Sequence, residues 1–202
     1  MKLARLAALV VLSACATGRV PHVPGDPPPA LKDSGEESKY QETLERFSAH
    51  GGVYDQLDTK AFIYATWQSP SFVKARVARQ ATFKDIPEAE AAALLASEAA
   101  RVADATEVFM GTHTNDSKFD DFDRPNTMWR LVLVVHGEEL KPLSVERIGR
   151  TNIDIRSTYS YMESFWVGYR VRFPKVTLQT GEKLTFRAAS ALGKADLSFI
   201  AE

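Results

Sequence analysis

The spacing of apolar positions along the chain changes twice. Leu6 to Leu12 is an unbroken apolar run. From about residue 36 to 104 apolar side chains recur at helical spacing, and from Thr106 onward they fall on every second residue. The first helix is predicted over Glu36–His50, with Tyr40, Leu44 and Phe47 on one face and Gly51-Gly52 as its stop. A second opens at Ser69-Pro70, an N-cap followed by proline at the first helical position, and runs to about Phe83 with Val73, Val77 and Ala81 aligned. A third is expected behind Asp85 and Glu88, spaced like a capping box, and continues to about Asp104 with Leu95, Ala99 and Val102 directed one way. Between the first two helices, Ala61–Trp67 is rich in aromatic and β-branched residues and reads as one strand.

In the alternating half, Met128–His136 places Trp129, Leu131, Leu133 and Val135 on one face. Phe165–Phe173 places Phe165, Val167, Tyr169, Val171 and Phe173 together, opposite Arg170 and Arg172. Further strands are predicted near Glu107–His113, Leu143–Ile148, Lys183–Ala189 and Ala195–Ile200, punctuated by His136-Gly137-Glu138, Thr180-Gly181-Glu182 and Leu192-Gly193-Lys194. The expected fold class is α+β: an antiparallel β-sandwich, immunoglobulin-like in architecture although the Cys–Trp–Cys pattern of antibody domains is absent, preceded by a helical N-terminal segment. The corresponding divisions are residues 1–14, 15–34, 35–105 (mainly helical, with one strand) and 106–202 (the sandwich).

Composition is that of an ordinary globular chain, with 45% hydrophobic and 25% charged residues among 202. The formal net charge is −1, and loss of Lys2 and Arg5 with the first fourteen residues would take it to about −3. Charge of that size and sign does not suit a nucleic-acid binder that works by neutralising phosphates, so no nucleic-acid partner is expected.

The single cysteine changes the picture most. Lys2 and Arg5 precede the Leu6–Leu12 run, and Leu12-Ser13-Ala14-Cys15 follows it. The run is too short to cross a bilayer, which takes about 20 residues. The four residues ending at Cys15 resemble the lipobox of bacterial lipoproteins. That resemblance covers the leader only. It implies a signal peptide over residues 1–14, cleavage before Cys15, lipid on its thiol, and a chain held on a membrane of the cell envelope. Ala16, where an aspartate would mark retention in the inner membrane, resembles an outer-membrane address. More than one acyl chain makes a stable anchor, and a thioether-linked Cys15 has no thiol left for disulfides or catalysis. Ala16–Ser34 contains Pro21, Pro24, Pro27, Pro28 and Pro29 and almost no large apolar group. It reads as an extended tether reaching roughly 60 Å at about 3.1 Å per residue.

Chemistry-bearing clusters are few. Residues 115–123 (Asn115, Asp116, Ser117, Lys118, Phe119, Asp120, Asp121, Phe122, Asp123) are rich in carboxylates, yet the spacing fails the EF-hand rule and Lys118 adds positive charge. A solvated loop pinned by Phe119 and Phe122 is the expectation. His22, His50, His113 and His136 form no zinc spacing, and no nucleophile elbow, phosphate loop or dinucleotide fingerprint occurs, so no cofactor is expected. Glu138-Glu139 fits a polar hairpin turn, because neighbours on a strand point to opposite faces. Of Trp67, Trp129 and Trp166, Trp166 is the candidate for an exposed contact, although packing is the expected role of all three. Three functions remain open. The leading one is a non-enzymatic envelope lipoprotein that binds or braces another envelope component. The second is an envelope-acting hydrolase or transferase with a site assembled from His113, Asp120 and His136. The third is a calcium- or carbohydrate-binding module.

Overall fold

A computed structural model describes residues 35–55 and 58–202. Cys15, the leader and the proline-rich tether lie outside the described residues.

The first helix, α1 (Gly35–Arg46), buries Tyr40 and Leu44, with Phe47 just beyond its end. It stops four residues short of the expected His50. Ser48–Asp55 is a strand, β1, paired antiparallel with β2 (Asp58–Trp67) in a register that sets His50 opposite Tyr64. The pair Gly51-Gly52 is therefore not a helix stop. Gly51 lies close against Ala195, and a side chain at Gly52 would collide with the Tyr54 ring, which folds back over it. Glycine marks close approach here rather than a terminus.

Helix α2 (Pro70–Lys84) starts as expected, with the Ser69 hydroxyl accepting the Phe72 N–H at 3.1 Å. Asp85, however, ends α2 instead of opening the next helix: it sits in the left-handed region (φ 49°), and its N–H reaches back to the Ala81 and Thr82 carbonyls. Helix α3 (Glu88–Ala103) follows Pro87 without a side-chain cap. Leu94, Leu95 and Val102 of α3 pack on Val73 and Val77 of α2, so the two form a helical hairpin.

Seven more strands follow: β3 (Ala105–Thr114), β4 (Arg130–Val135), β5 (Glu138–Leu140), β6 (Ser144–Arg150), β7 (Val167–Pro174), β8 (Lys183–Ser190) and β9 (Gly193–Ile200). A short helix, α4 (Ile153–Thr158), joins β6 to β7. Two antiparallel sheets result, ordered β1-β2-β3-β7-β6 and β5-β4-β8-β9. With β2, β3, β4, β6, β7, β8 and β9 lettered A to G and β5 as C′, these are A-B-E-D and C′-C-F-G, the immunoglobulin order. To it are added β1 beside strand A, the α2–α3 hairpin between A and B, and α4 between D and E. The expected division at residue 105 therefore cuts through one continuous sheet, to which residues 35–105 contribute two strands rather than one.

Alternation places Ile63, Met110, Tyr169, Val171, Leu133, Phe186 and Leu197 between the sheets, all fully or almost fully buried. The opposite face of the five-stranded sheet carries a second apolar layer beneath α1, α2 and α4: Tyr40, Leu44, Phe47, Tyr64, Phe72, Phe109, Tyr159, Tyr161, Met162 and Trp166. Gly111 and Gly168 face each other across β3 and β7. A side chain at Gly111 would strike the Met162 sulfur, and one at Gly168 would press on the Phe109 ring. This flat spot lets residues 159–166 lie on the sheet, with the Phe109 and Tyr159 rings stacked at 3.7 Å.

That segment also reverses the expected sides of Phe165 and Trp166. Phe165 is 76% exposed at φ 76°, whereas Trp166 is 1% exposed and packs on Tyr64 at 5.7 Å. Strand β7 begins only at Val167, so the alternation that runs through Phe173 cannot be extended back to Phe165. The outer face of the smaller sheet is polar. Arg130 pairs with Glu139, and Arg187 bridges Glu139 and Asp196.

Candidate functional site

A groove of about 410 Å³ lies between α1 and α2. Helical spacing brings Glu36, Tyr40 and Thr43 to one wall and Ala75, Arg79, Thr82 and Phe83 to the other. Arg79 is its organising side chain. Its Nε and Nη2 donate to the two carboxylate oxygens of Glu37, each at 2.8 Å. Its guanidinium also lies 4.5 Å from the Tyr40 ring centre and 4.6 Å from that of Phe83. Glu37 also accepts from Gln41 at 2.7 Å, and Gln41 in turn accepts from Ser160 at 2.7 Å.

Arg79 and Glu37 balance each other's charge in this groove. The hydrogen bond from Arg79, which outweighs the opposing effect of burial, holds the Glu37 carboxyl below its usual range. Burial pushes the Tyr40 phenol well up, and its hydroxyl donates to the Thr158 carbonyl at 2.7 Å. Glu36, Lys39 and Thr43 also line the groove. Its volume lies at the low end for small-molecule sites, with an aliphatic and aromatic floor and a mixed polar rim. A smaller recess of about 140 Å³ shares Tyr40, Arg79 and Phe83 and is completed by Arg76, Lys84, Asp154 and Ser157.

Beneath the helical hairpin runs a line of alternating charges. Arg76 and Arg101 both donate to Glu98, each at 2.5 Å. Arg101 also pairs with Glu107, whose other oxygen is 3.4 Å from Arg170, and Arg170 pairs with Glu146 at 2.9 Å. Glu107 is 2% exposed. Burial opposes ionisation of Glu98, but Arg101 and Arg76 together hold its carboxyl below the usual range. The line fastens α2 and α3 to β3, β7 and β6.

The residues singled out from the sequence are dispersed. In the acidic loop, Asp116 accepts the Lys118 N–H, and Asp121 accepts from Thr127 at 3.0 Å. Asp120 takes the Tyr169 hydroxyl at 2.5 Å and Arg147 at 2.7 Å. Burial and the neighbouring Asp120 push the Tyr169 phenol up, which keeps it protonated as a donor. The loop's carboxylates therefore diverge to separate protein partners, and no group of three metal-ligating side chains occurs among the described residues. His113, Asp120 and His136 do not share a partner. His113 stacks on Trp166 at 6.1 Å, and His136 pairs with Glu182 at 3.2 Å. His50 stacks on Tyr64 at 4.8 Å. Glu138 and Glu139 follow a two-residue hairpin turn, His136-Gly137, with both φ angles positive. Trp129 is packed on Phe122 at 4.7 Å, so Trp129 and Trp166 are both core residues.

Sequence reasoning missed Glu37, Tyr40 and Phe83 as partners of Arg79. Arg79 stands out in the sequence only as one basic residue of α2, and nothing local states that it meets α1.

No protein-family model and no curated protein sequence matches this chain. Among solved structures it is similar to a protein of unknown function from Burkholderia pseudomallei, at 10% identity over 80% of this chain and 81% of that one, with a TM-score of 0.44.

Proposed function

We propose that this chain is a non-enzymatic lipoprotein of the bacterial cell envelope, held on the outer membrane by lipid on Cys15. In this reading its domain binds or braces another envelope component. The observation that carries it is the succession of residues in the leader sequence: Lys2 and Arg5, the apolar Leu6–Leu12, then Ser13-Ala14-Cys15. Among the described residues no helix is long and apolar enough to cross a membrane, so the reading assigns attachment to lipid and not to a spanning helix. The tether over 16–34 gives the domain reach, and the α1–α2 groove, with its paired Arg79 and Glu37 and its aromatic floor, is the surface to which we assign the bound component. Its pairing of Arg79 with Glu37 neutralises both groups, which fits holding a ligand rather than transforming one.

Mass spectrometry of the N-terminal peptide from membrane-extracted protein tests the anchor. The expected species begins at Cys15 and carries diacylglycerol and an acyl chain; a free thiol at Cys15 overturns it. Crosslinking through photoreactive residues at Thr43 and Thr82 tests the groove, and adducts formed equally well at Thr185, on the polar outer face, would remove its claim.

A further inference from the structure

Four large exposed apolar side chains are brought together around α4. Phe83 is 65% exposed in the last turn of α2, Ile153 is 84% exposed at the first position of α4, Phe165 is 76% exposed, and Ile148 is 37% exposed in β6. Short links hold their backbones near one another. Lys84 pairs with Asp154 at 3.2 Å, joining the end of α2 to α4. The N–H and hydroxyl of Thr151 both bond the Trp166 carbonyl, at 2.9 and 3.1 Å, joining the entry of α4 to the residue after Phe165. Ile148 lies over Gly168 in the neighbouring strand.

Two features distinguish this patch from scattered surface hydrophobics. Phe165 holds a left-handed backbone that a bulky residue rarely adopts, and the effect is to turn its ring outward while Trp166 turns in. Arg150 and Arg156, both exposed and close to the patch along the chain, have no ion-pair partner among the described residues, a state that they share with the exposed Arg124 of the 115–130 loop. Aromatic and aliphatic side chains with two unpaired arginines beside them, and with the Asp154 charge met by Lys84, match the boundary of an anionic bilayer, where apolar groups enter the acyl region and cations stay with the phosphates. The chain also enters the domain on this side: α1 begins at Gly35, Tyr40 bonds Thr158 at the end of α4, and Gln41 bonds Ser160 two residues further on.

We infer that the α4 surface rests on the anionic lipid bilayer to which the chain is anchored, with Ile153 and Phe165 entering it and Arg150 and Arg156 meeting lipid phosphates. This rests on the membrane-held reading above and adds an orientation to it: the domain lies against the membrane on one defined face.

The test uses full-length chain extracted from membranes and reconstituted into vesicles of phosphatidylglycerol and bromine-labelled phosphatidylcholine. Phe165→Trp and, independently, Ile153→Trp report contact. Leu143→Trp, exposed at the far end of β6 from Arg150, is the control. Bromine should quench the added tryptophan at 165 and 153 and leave that at 143 bright, and replacing phosphatidylglycerol by neutral lipid should lessen the quenching. Equal quenching at all three positions, or none, overturns the inference. So does an absence of quenching together with concentration-dependent dimers in sedimentation, which would assign the patch to a second copy of this chain. The mass of the N-terminal peptide is read on the same sample. Lipid on Cys15 without selective quenching removes the orientation and leaves the anchor, and the converse result removes the anchor alone.

Discussion

Arg79 grips Glu37 through two parallel hydrogen bonds of 2.8 Å, and the pair ties α2 to α1. Both side chains are about nine-tenths buried. Removing one partner strands the other charge, so Arg79→Met is expected to cost about 3 kcal/mol in urea unfolding. Arg79→Lys should recover only part of that, because an ammonium cannot make the planar fork. The double variant Glu37→Leu/Arg79→Met should be much closer to wild type than either single change. A double variant as unstable as Arg79→Met alone would show that the pair adds more than mutual compensation.

The same pair sets an acid limit. The folded-state carboxyls of Glu37 and Glu98 are both held below the ordinary value of 4.5. Their contribution to stability is therefore complete above that value and is lost as pH falls through the lower folded-state range. Melting temperature should hold steady above pH 5 and drop below about 4.5, and Glu37→Gln should flatten the drop. A variant with an undiminished drop would assign acid sensitivity elsewhere.

Glu107 lies almost wholly buried between Arg101 and Arg170. Glu107→Gln leaves two guanidiniums short of charge and is expected to cost about 3 kcal/mol or more. Hydrogen exchange should rise first in α3, the element held to the sheet through Arg101. Uniform exchange across all strands would contradict that assignment.

At Gly111, even a methyl group meets the Met162 sulfur. Gly111→Ala should therefore destabilise by about 1–3 kcal/mol, as overpacking does. Adding Met162→Ala should return part of the loss, read as a smaller difference in melting temperature between the double variant and Met162→Ala.

In the loop 115–123, Asp120→Ala should lower the melting temperature by freeing Arg147 and the Tyr169 hydroxyl. Calcium should leave the wild-type value where it is; a calcium-dependent rise would reopen the loop as a metal site.

Period-two and helical patterns were enough to place β4, β7, β8, α2 and the sandwich class, because each element has one predominantly buried face, while β3, buried on both faces, showed as an apolar stretch. Strand β1 was not legible. Ser48–Asp55 has two glycines and little alternation, and its strand state comes from pairing with β2 and from Tyr54 covering Gly52. Asp85 carried a cap signature that fits either end of a helix, and only the left-handed backbone decides between them. Phe165 and Trp166 were assigned to the wrong sides because the chain before Val167 is not a strand. The groove was illegible for a different reason: it is made by two helices whose faces meet through Arg79 and Glu37, 42 positions apart.

The strand order has a consequence for crowding. Strand β9 is flanked by β1, whose Gly51 and Val53 lie against Ala195 and Gly193. The remaining edges are β5, three residues long with Glu138 and Glu139, and β6, which carries Glu146, Arg147 and Arg150 and is bent by a bulge between Arg147 and Gly149. None offers a long, flat, apolar row of free amides to a neighbour. Many copies packed side by side in two dimensions would thus have no template for cross-chain strand addition, and the fold can tolerate high local density without seeding fibrils.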